Sequence, residues 1–318
     1  MKTYLVISHL RIHNANALSS IYTVGFPAMT AWLGGVHALQ RRLQAVDSLQ
    51  QVTLPRMAVS CHNCNVQLYR GKHDYVNSVI GTSNPLGKDG KRPAFIESPR
   101  CHLDVSLLLE VTSVNSDNQD TFLTAVASTF ERMKVAGGDI LSRCMVYKEK
   151  QPRPRDKTML KLFYINDFAE DDVLKHQHSI MHMLMPGFVV VGRSKLLQSL
   201  PGDDMLDKLL YSQSVTYESV KDKQGKVTDW QNHKNYPEGW LVPLAVGFRD
   251  LSGAVHVEHQ RDNSCEHHFV EPIVTLGEFK MPTRMPSLES MMWSYQIDVA
   301  HGLYLCVNDY ESYLDDRF

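Results

Sequence analysis

The stretch LRIHNANALSSIYTVGFPAMTAWLGGVHALQRR, residues 10–42, decides how the first half of this chain folds. It starts within residues 3–12, a run rich in Val, Ile and Leu that is too short for a typical helix and therefore predicts a first strand. A turn of small and polar residues follows, and Thr30 can cap a helix that runs to about Val46. The apolar residues of this helix recur at steps of four and three, which predicts one buried stripe made of Trp32, Val36, Leu39, Leu43 and Val46.

Further patterns extend this beginning to four strands and two helices. Residues 57–69 and 102–111 predict the second and third strands. A second helix is predicted over residues 120–135, ended by two glycines, and a fourth strand over residues 140–147. The order β-α-β-β-α-β is the ferredoxin-like arrangement, which is also the plan of the RNA-recognition motif. We therefore expect an α+β protein in which residues 1–150 form such a core.

The second half, residues 151–318, is predicted to be a mixed unit that packs on this core. Residues 148–161 are basic and contain two prolines, so they are interpreted as a connector. Five elements are then predicted, in chain order: a helix ended by Pro186-Gly187, buried strands at FVVVGR and GWLVPLAVGF, a late helix at SLESMMWSYQI and a closing strand at GLYLCV. The acidic end NDYESYLDDRF is expected to be solvated.

Composition excludes several classes of protein. With 318 residues, of which 43% are hydrophobic and 21% charged, the chain can bury a sizeable core. No run approaches the ~18 apolar residues that a membrane helix needs, and the beginning of the chain has no signal-peptide cleavage pattern. Six cysteines in a chain of this length are not a disulfide framework. These observations favour a cytoplasmic protein that has no membrane partner.

The charge distribution is uneven along the chain. Residues 1–161 carry 20 Lys and Arg against 12 Asp and Glu, whereas residues 162–318 carry 13 against 23. Such asymmetry indicates a polyanionic partner for the first half and a different partner for the second, unless the charges interleave in space.

A zinc site is the first alternative to weigh, because Cys61 and Cys64 form a CxxC motif. Structural zinc needs four ligands, and no second CxxC exists. Cys265, His267 and His268 could complete a site only if the fold brought them close. A three-residue step along a strand also points the two cysteines to opposite faces. We therefore expect no metal site and no cofactor.

A nuclease is the second alternative. RNA cleavage can use one histidine as acid and another as base, and His13 and His37 flank the opening turn. Nothing in the sequence fixes their mutual geometry, and no phosphate-binding loop or nucleophile elbow is present. We expect a non-catalytic protein and keep a metal-independent endoribonuclease as the alternative.

Positive charge is the strongest functional signal, because Lys and Arg neutralise nucleic-acid phosphates. Basic clusters lie in the opening stretch, in the turn-rich segment NPLGKDGKRP, and at and beyond the predicted fourth strand. Short polar side chains in the opening turn can contact phosphates, 2′-hydroxyls and unpaired bases. The predicted RNA-binding residues are Arg11, Asn14, Asn16, Ser19, Ser20, His37, Arg41, Arg42, Lys88, Lys91, Arg92, Arg143 and Lys148.

Several ordered blocks of the chain resemble one known family. The resemblance runs from residue 5 to about residue 280, and the blocks that carry it are LRIHNANALSS, TVGFP, GVHALQRR, NPLGKDG, HLDVSLLLE, AGGDIL, LMPGF and GWLVP. They closely resemble the Csy-two (Cas-five f) family of type I-F CRISPR–Cas systems.

The resemblance implies a fold and a role. The fold is that of the repeat-associated mysterious proteins (RAMP), a core like the RNA-recognition motif with an elongated thumb, here at about residues 70–100. The role is that of a non-catalytic subunit in antiviral DNA surveillance, which caps the 5′ handle of the CRISPR RNA. Such a subunit pairs with the large subunit (Cas-eight f type) and abuts a backbone subunit (Cas-seven f type). Target DNA is contacted only indirectly, because guide pairing reads it.

Carried over by position, the resemblance places handle contacts in three segments. They centre on the opening turn and continue on the first helix and at the thumb tip: Arg11, Asn14, Asn16, Ser19 and Ser20; then His37, Arg41 and Arg42; then residues 88–92. A relative in another subtype does cleave RNA, which is why His13 and His37 remain in the alternative.

Overall fold

The structure is a computed structural model, and the residues it describes are 2–82, 86–91, 98–146, 157–166, 170–236, 238–260 and 262–315. Within these residues the strands are β1 (Lys2–Asn16), β2 (Leu18–Ser20), β3 (Thr23–Val24), β4 (Met57–Val66), β5 (Leu68–Tyr69), β6 (Ser78–Val79), β7 (Gly81–Thr82), β8 (Ser98–Val111), β9 (Lys134–Val135), β10 (Gly138–Ile140), β11 (Arg143–Val146), β12 (Lys157–Ile165), β13 (Phe188–Gly192), β14 (Val215–Lys221), β15 (Val227–Lys234), β16 (Leu241–Asp250), β17 (Val270–Lys280), β18 (Trp293–Asp298) and β19 (Leu303–Asn308). The α-helices are α1 (Met29–Leu43), α2 (Gln119–Phe130), α3 (Glu170–Met183), α4 (Ser194–Ser199), α5 (Met205–Gln213) and α6 (Tyr310–Asp315). The prediction of an α+β protein is confirmed.

One large sheet runs through both halves of the chain. Its main path has the order β11-β12-β1-β8-β4-β13-β17-β16-β19-β18, and β7, β9 and β10 attach to its side. In its middle, β12, β1, β8 and β4 are neighbours and all three pairings are antiparallel. The second half joins this group where β13 pairs with β4, Phe188 opposite Cys61.

The last strand of the path returns to the first half. Trp293 of β18 pairs with Met57 of β4, so the pairings close a ring made of β4, β13, β17, β16, β19 and β18. The Trp293 side chain is buried, and its indole N–H donates a hydrogen bond to the carbonyl of Val190 at 2.8 Å. Closure satisfies strand edges that would otherwise stay unpaired.

Two hydrophobic cores lie on the two faces of the central strands. On β1, Leu5 and Ile7 pack into the core beneath α1 and α2, whereas Tyr4 and Val6 pack into a second core with residues of α3. Beyond Ile7 only one face of β1 stays apolar, since Leu10 continues the first core and no residue after Val6 joins the second. The other face of this end of the sheet is therefore polar.

Helix α1 agrees with its prediction in position but not at its ends. Trp32, Val36, Leu39 and Leu43 are buried as predicted. Thr30 does not cap the helix, because the helix begins at Met29 and Thr30 lies inside it. The helix ends at Leu43, before Val46, and Val46 is 36% exposed.

Helix α2 also ends earlier than predicted. Its last residue is Phe130, and residues 134–135 and 138–140 form the short strands β9 and β10. Ala136 and Gly137 turn the chain between these strands with positive φ angles of 49° and 76°.

The fourth strand beside β1 is not the predicted one. Residues 143–146 form the edge strand β11, and the long antiparallel neighbour of β1 is β12, which begins at Lys157 inside the predicted connector. The first buried residues of β12, residues 158–160, are consecutive and lie within the basic, proline-containing segment predicted to be a connector. The beginning of the strand was interpreted as part of a loop, since charged residues and proline are typical of loops.

In the second half the predicted helix before Pro186 and three strands are present as α3, β13, β16 and β19. The predicted late helix is wrong. Residues 289–291 form one short 3-10 turn, and residues 293–298 are strand β18, which pairs along its length with β19. The apolar spacing of a short segment fits either structure, and pairing with β19 decides for the strand.

The acidic end is not simply solvated. Residues 310–315 form α6, in which Tyr310 and Glu311 are buried. The carboxylate of Glu311 accepts hydrogen bonds from the backbone N–H groups of Lys195 and Leu196 at 2.6 and 3.0 Å. This contact fastens α6 to the first turn of α4.

No helix of the described residues is both long and apolar enough to cross a membrane.

Glu289 ties the first strand to the second half. Its carboxylate accepts a hydrogen bond from the Lys2 ammonium at 2.6 Å and one from the Tyr4 hydroxyl at 3.2 Å. Burial is the largest single effect and opposes ionisation of this carboxyl, but the hydrogen bonds from Lys2, a backbone N–H and Tyr4, together with the charge of Lys2, outweigh it and hold the pKa of Glu289 below its usual 4.5.

We expect Glu289→Gln to lower the free energy of unfolding by about 1 kcal/mol at neutral pH, because a partly buried ionic hydrogen bond is lost. A carboxyl whose pKa is lower in the folded state stabilises the fold above the unfolded value, and this contribution disappears as the pH falls through the folded pKa. Urea unfolding of both proteins at neutral pH and well below pH 4.5 measures the difference. A difference that did not shrink in acid would contradict the assignment.

Candidate nucleic-acid interface

The opening turn is a small hairpin held by its own side chains. The Asn16 amide donates to the carbonyl of Leu18 at 3.0 Å and its oxygen accepts from the Leu18 N–H at 3.2 Å. The hydroxyls of Ser19 and Ser20 lie 2.7 and 2.8 Å from the hydroxyl of Thr23. Ser20 is buried, so its hydroxyl serves the hairpin, whereas Ser19 remains partly exposed.

A cleft of about 950 Å³ lies beside this hairpin, and we call it the α1 cleft. It lies between the hairpin, one side of α1 and the strands β16, β18 and β19. Its polar lining includes Asn16, Ser19, His37 and Arg100. The structure thus brings three predicted residues together with an arginine that the sequence analysis did not single out.

Aromatic side chains of the second half also line the α1 cleft. The rings of Phe248 and Tyr304 lie 6.3 Å apart at an interplanar angle of 30°, and Tyr295 lies 5.1 Å from Tyr304. Burial and a hydrogen bond with Tyr304 raise the pKa of the Tyr295 hydroxyl, which stays protonated. Aromatic rings beside cations are the surfaces on which single-stranded bases stack.

Gly34 keeps the α1 cleft open. It lies in the middle of α1, and a Cβ atom at this position would meet no atom within 4 Å. A larger side chain would project into the cleft, because Gly34 is part of its lining.

The remaining basic residues of α1 lie apart from the α1 cleft. Arg41 and Arg42 are exposed in the last turn of the helix. Arg42 lines a separate depression of about 290 Å³ together with Ser128, Thr129 and Arg132 of the α2 region. Cations at the C-terminal end of a helix also stabilise it by opposing the helix dipole.

The other predicted cations are dispersed. Lys88 and Lys91 are exposed in the turn of residues 86–91, and Arg143 is exposed at the start of β11. Arg92 and Lys148 lie outside the described residues.

Arg11 and Asn14 belong to a polar surface on the sheet face away from α1 and α2, and we call this surface the histidine face. It comprises His9, Arg11, His13, Asn14, His62, His102 and Asp104. His13 stacks on His102 with ring centroids 4.2 Å apart. Asn14 has a positive φ of 58°, and its side-chain oxygen accepts a hydrogen bond from Gln67.

The histidine pair of the nuclease alternative is not brought together. His13 lines a cavity of about 350 Å³ on the histidine face, where Arg11 and Asp104 are also lining residues. His37 lines the α1 cleft. Among the described residues, the two rings therefore belong to different cavities.

The CxxC motif departs from the predicted alternation. A register shift between Cys61 and Asn63 interrupts β4, so Cys61 and Cys64 both line one cavity of about 530 Å³. Cys64 shares a hydrogen bond with Cys101, which raises the pKa of the Cys101 thiol, as does its burial. Cys265 lies in the connection between β16 and β17, and among the described residues no cysteine belongs to a group of three metal ligands.

Four residues of the α1 cleft were missed by sequence reasoning. Arg100 lies just before the predicted third strand. The sequence shows its positive charge but not which residues lie beside it in the fold. Tyr295 was assigned to a helix that is a strand. Phe248 and Tyr304 come from two separate strands whose pairing, Phe248 opposite Tyr304, no local pattern predicts.

We expect Gly34→Ala to raise the free energy of unfolding by about 0.5–1 kcal/mol, because alanine has the higher helix propensity and there is room for its methyl group. Gly138→Ala is the matched control. Its Cβ would lie 2.6 Å from Ile12 and 2.7 Å from the carbonyl of His13, so it should destabilise the protein. Thermal unfolding of the two variants measures whether each substitution stabilises or destabilises the protein. Destabilisation by Gly34→Ala would contradict the open space beside Gly34.

Comparison with known proteins agrees with the resemblance of the sequence blocks. A family model described as CRISPR-associated protein (Cas_Csy2) matches residues 5–306, which extends beyond residue 280, where the resemblance of the sequence ends. A relative from Pseudomonas aeruginosa (strain UCBPP-PA14), named CRISPR-associated protein Csy2, is 33% identical over 320 residues, which cover 94% of this chain and 93% of the relative. The chain therefore belongs to the Csy2 family of CRISPR-associated proteins.

Proposed function

We propose that this protein is a non-catalytic RNA-binding subunit of a CRISPR effector complex of type I-F, and that the α1 cleft holds part of the 5′ handle of the CRISPR RNA. Family membership supports the link to CRISPR defence. The observation that carries the RNA assignment is the α1 cleft itself, whose lining combines amide, hydroxyl and guanidinium groups with three aromatic rings.

The cleft suits a single-stranded RNA end better than a duplex. Arg100 supplies a cation for phosphate, and Asn16 and Ser19 supply short polar groups for sugar hydroxyls or base edges. Phe248 is 38% exposed and can offer a ring face to an unpaired base. The glycine at position 34 lets the RNA backbone approach α1 closely.

The proposed core is a RAMP core of the RNA-recognition-motif type that includes β12, so it extends to Ile165, past the boundary predicted near residue 150. The neighbour order β12-β1-β8-β4 and the packing of α1 and α2 on one face support this proposal. In this arrangement β12 takes the place of the fourth strand. The proposed thumb corresponds to residues 70–100, of which residues 78–79 and 81–82 form the short strands β6 and β7.

Protein partners are proposed for the acidic second half. Its 13 Lys and Arg against 23 Asp and Glu favour contact with basic protein surfaces over contact with RNA. The large subunit (Cas-eight f type) and a backbone subunit (Cas-seven f type) are the proposed partners, in the cytoplasm, and target DNA is contacted only indirectly. The endoribonuclease alternative gains no support, because His13 and His37 line different cavities.

We expect Gly34→Leu to weaken capture of a labelled 5′-handle RNA at least tenfold, since the leucine side chain fills the α1 cleft. Gly34→Ala is the matched control and should bind as the unchanged protein does. Binding is measured by titration with the purified protein or, if partners are needed, with the co-expressed complex. Equal binding by the leucine variant, with circular dichroism of a folded protein, would refute the cleft assignment.

Arg41 and Arg42, at the C-terminal end of α1, are also proposed to contact the RNA, and the double variant Arg41→Glu/Arg42→Glu tests this contact. If both arginines neutralise phosphates, log affinity should depend less steeply on log salt, by roughly 0.7 for each phosphate of a single-stranded RNA that the variant no longer neutralises. The same titrations at several salt concentrations measure the slope. An unchanged slope would assign these arginines to α1 stability alone.

Incubating the protein with labelled repeat RNA in EDTA tests the absence of catalysis. The proposal expects no product from the unchanged protein. Cleavage that is lost in His37→Ala would support the enzyme instead.

A further inference from the structure

Two histidines and an aspartate from three adjacent strands meet on the histidine face. His9 belongs to β1, Asp104 to β8 and His62 to β4. One ring nitrogen of each histidine and one carboxylate oxygen all lie within 4.8 Å of one another. Among the described residues this is the one such group of three or more His, Cys, Asp and Glu side chains.

Irregularities in two of the strands bring these side chains together. The register of β1 against β8 shifts between Ile7 and Leu10, and the register of β4 against β8 shifts between Cys61 and Asn63. His9 lies inside the first shift with a positive φ of 55°, which is unfavourable for a residue with a side chain. His62 lies inside the second. Bulges of this kind re-aim side chains and occur preferentially beside functional sites.

The ring of His62 is already oriented as a metal ligand. Its Nδ1 lies 2.8 Å from the carbonyl oxygen of Pro186, so Nδ1 carries the proton and donates it. Nε2 then carries no proton, and it accepts a hydrogen bond from the hydroxyl of Ser106 at 2.6 Å. A backbone carbonyl on the far ring nitrogen is the usual second contact of a histidine that binds a metal.

His9 and Asp104 supply the other two ligand atoms. Nδ1 of His9 lies 3.2 Å from Oδ1 of Asp104, and the side chains are 41% and 29% exposed. The His9 ring stacks on His62 with centroids 4.3 Å apart, which keeps both rings on the same side of the sheet. The group is therefore partly enclosed by the strands and still reachable from solvent.

We propose that His9, His62 and Asp104 bind one divalent transition-metal ion, for which Zn²⁺ is the best fit. Two imidazoles and one carboxylate with a fourth position left for water are a common zinc coordination set. Imidazole nitrogens favour such an ion over Mg²⁺ and Ca²⁺, which prefer oxygen ligands. The ion takes the place of the hydrogen bond between Nδ1 of His9 and Asp104, the His9 imidazole then carries its proton on Nε2, and the Ser106 hydroxyl turns away from His62. Bound metal links β1, β8 and β4, independently of the RNA site in the α1 cleft.

The structure supplies a matched control for this site. His13 and His102 are also stacked, at 4.2 Å and an interplanar angle of 20°, on the same face and on two of the same strands. They belong to no group of three ligands among the described residues. If stacked histidines bound metal nonspecifically, both pairs would contribute to binding. The proposed site includes His9 and His62 but neither His13 nor His102.

The experiment titrates ZnCl₂ into full-length protein that carries no histidine tag and has been stripped with a chelator, using isothermal calorimetry. We expect one Zn²⁺ per chain, a raised midpoint of thermal unfolding, and intense visible absorption with Co²⁺ that indicates tetrahedral coordination. His62→Gln and Asp104→Asn should each weaken binding at least tenfold, and His102→Gln should leave it unchanged.

Asp104→Asn keeps the test decisive if His62→Gln does not fold, because it changes a partly exposed side chain with little change in shape. Absence of stoichiometric Zn²⁺ binding by the unchanged protein would overturn the proposal and assign the cluster to a hydrogen-bond network. Equal losses in His102→Gln and Asp104→Asn would overturn it as well, in favour of nonspecific binding by the histidine face.

Discussion

Strand β8 is hydrogen-bonded on both sides, to β1 and to β4, and this double register constrains most of the molecule. Its leucines alternate between two cores: Leu107 and Leu109 pack beneath α1 and α2, and Leu108 packs on the opposite face. A shift of one residue would exchange these faces and expose the apolar set, so burial fixes the register strongly. The same register places Asp104 between β1 and β4, opposite Arg11 and Asn63. The site chemistry on this face therefore follows from the packing of the leucines behind it.

The two faces of the central strands differ because their cover differs. Helices α1 and α2 cover one face along its length, whereas the second core covers only the half of β1 that carries Tyr4 and Val6. Where that cover ends, polar residues can face outward at no cost in buried apolar area. The α1 cleft arises differently, at the border between the first half and the ring of strands that β18 closes on β4. Arg100 and Asn16 in its lining come from the first half, and its three aromatic rings come from the second.

The elements with strong periodicity were predicted from the sequence, and the errors occur where two structures compete for one pattern. The stripe on α1 and the alternation on β8 identify those elements because many residues agree. By contrast, residues 143–146 and 157–165 both form strands, and only pairing with β1 decides which is its long neighbour. Residues 293–298 fit a helix or a strand by spacing alone, and the bond from Trp293 to Val190 stabilises the strand. Asn16, Ser19 and His37 line one cleft, while Arg42 lines a separate depression.

By itself, the sequence determined the class of the fold, the elements around the opening turn and the family, because these depend on local periodicity and on ordered blocks of residues. The tertiary structure alone decided which side chains meet. Arg100 and Tyr304 line the same cleft, and His9 meets His62 and Asp104, although these residues are far apart along the chain. The physical reason is that strand register and β-bulges set the position of these side chains. Both are properties of paired strands and are not encoded in the pattern of either strand alone.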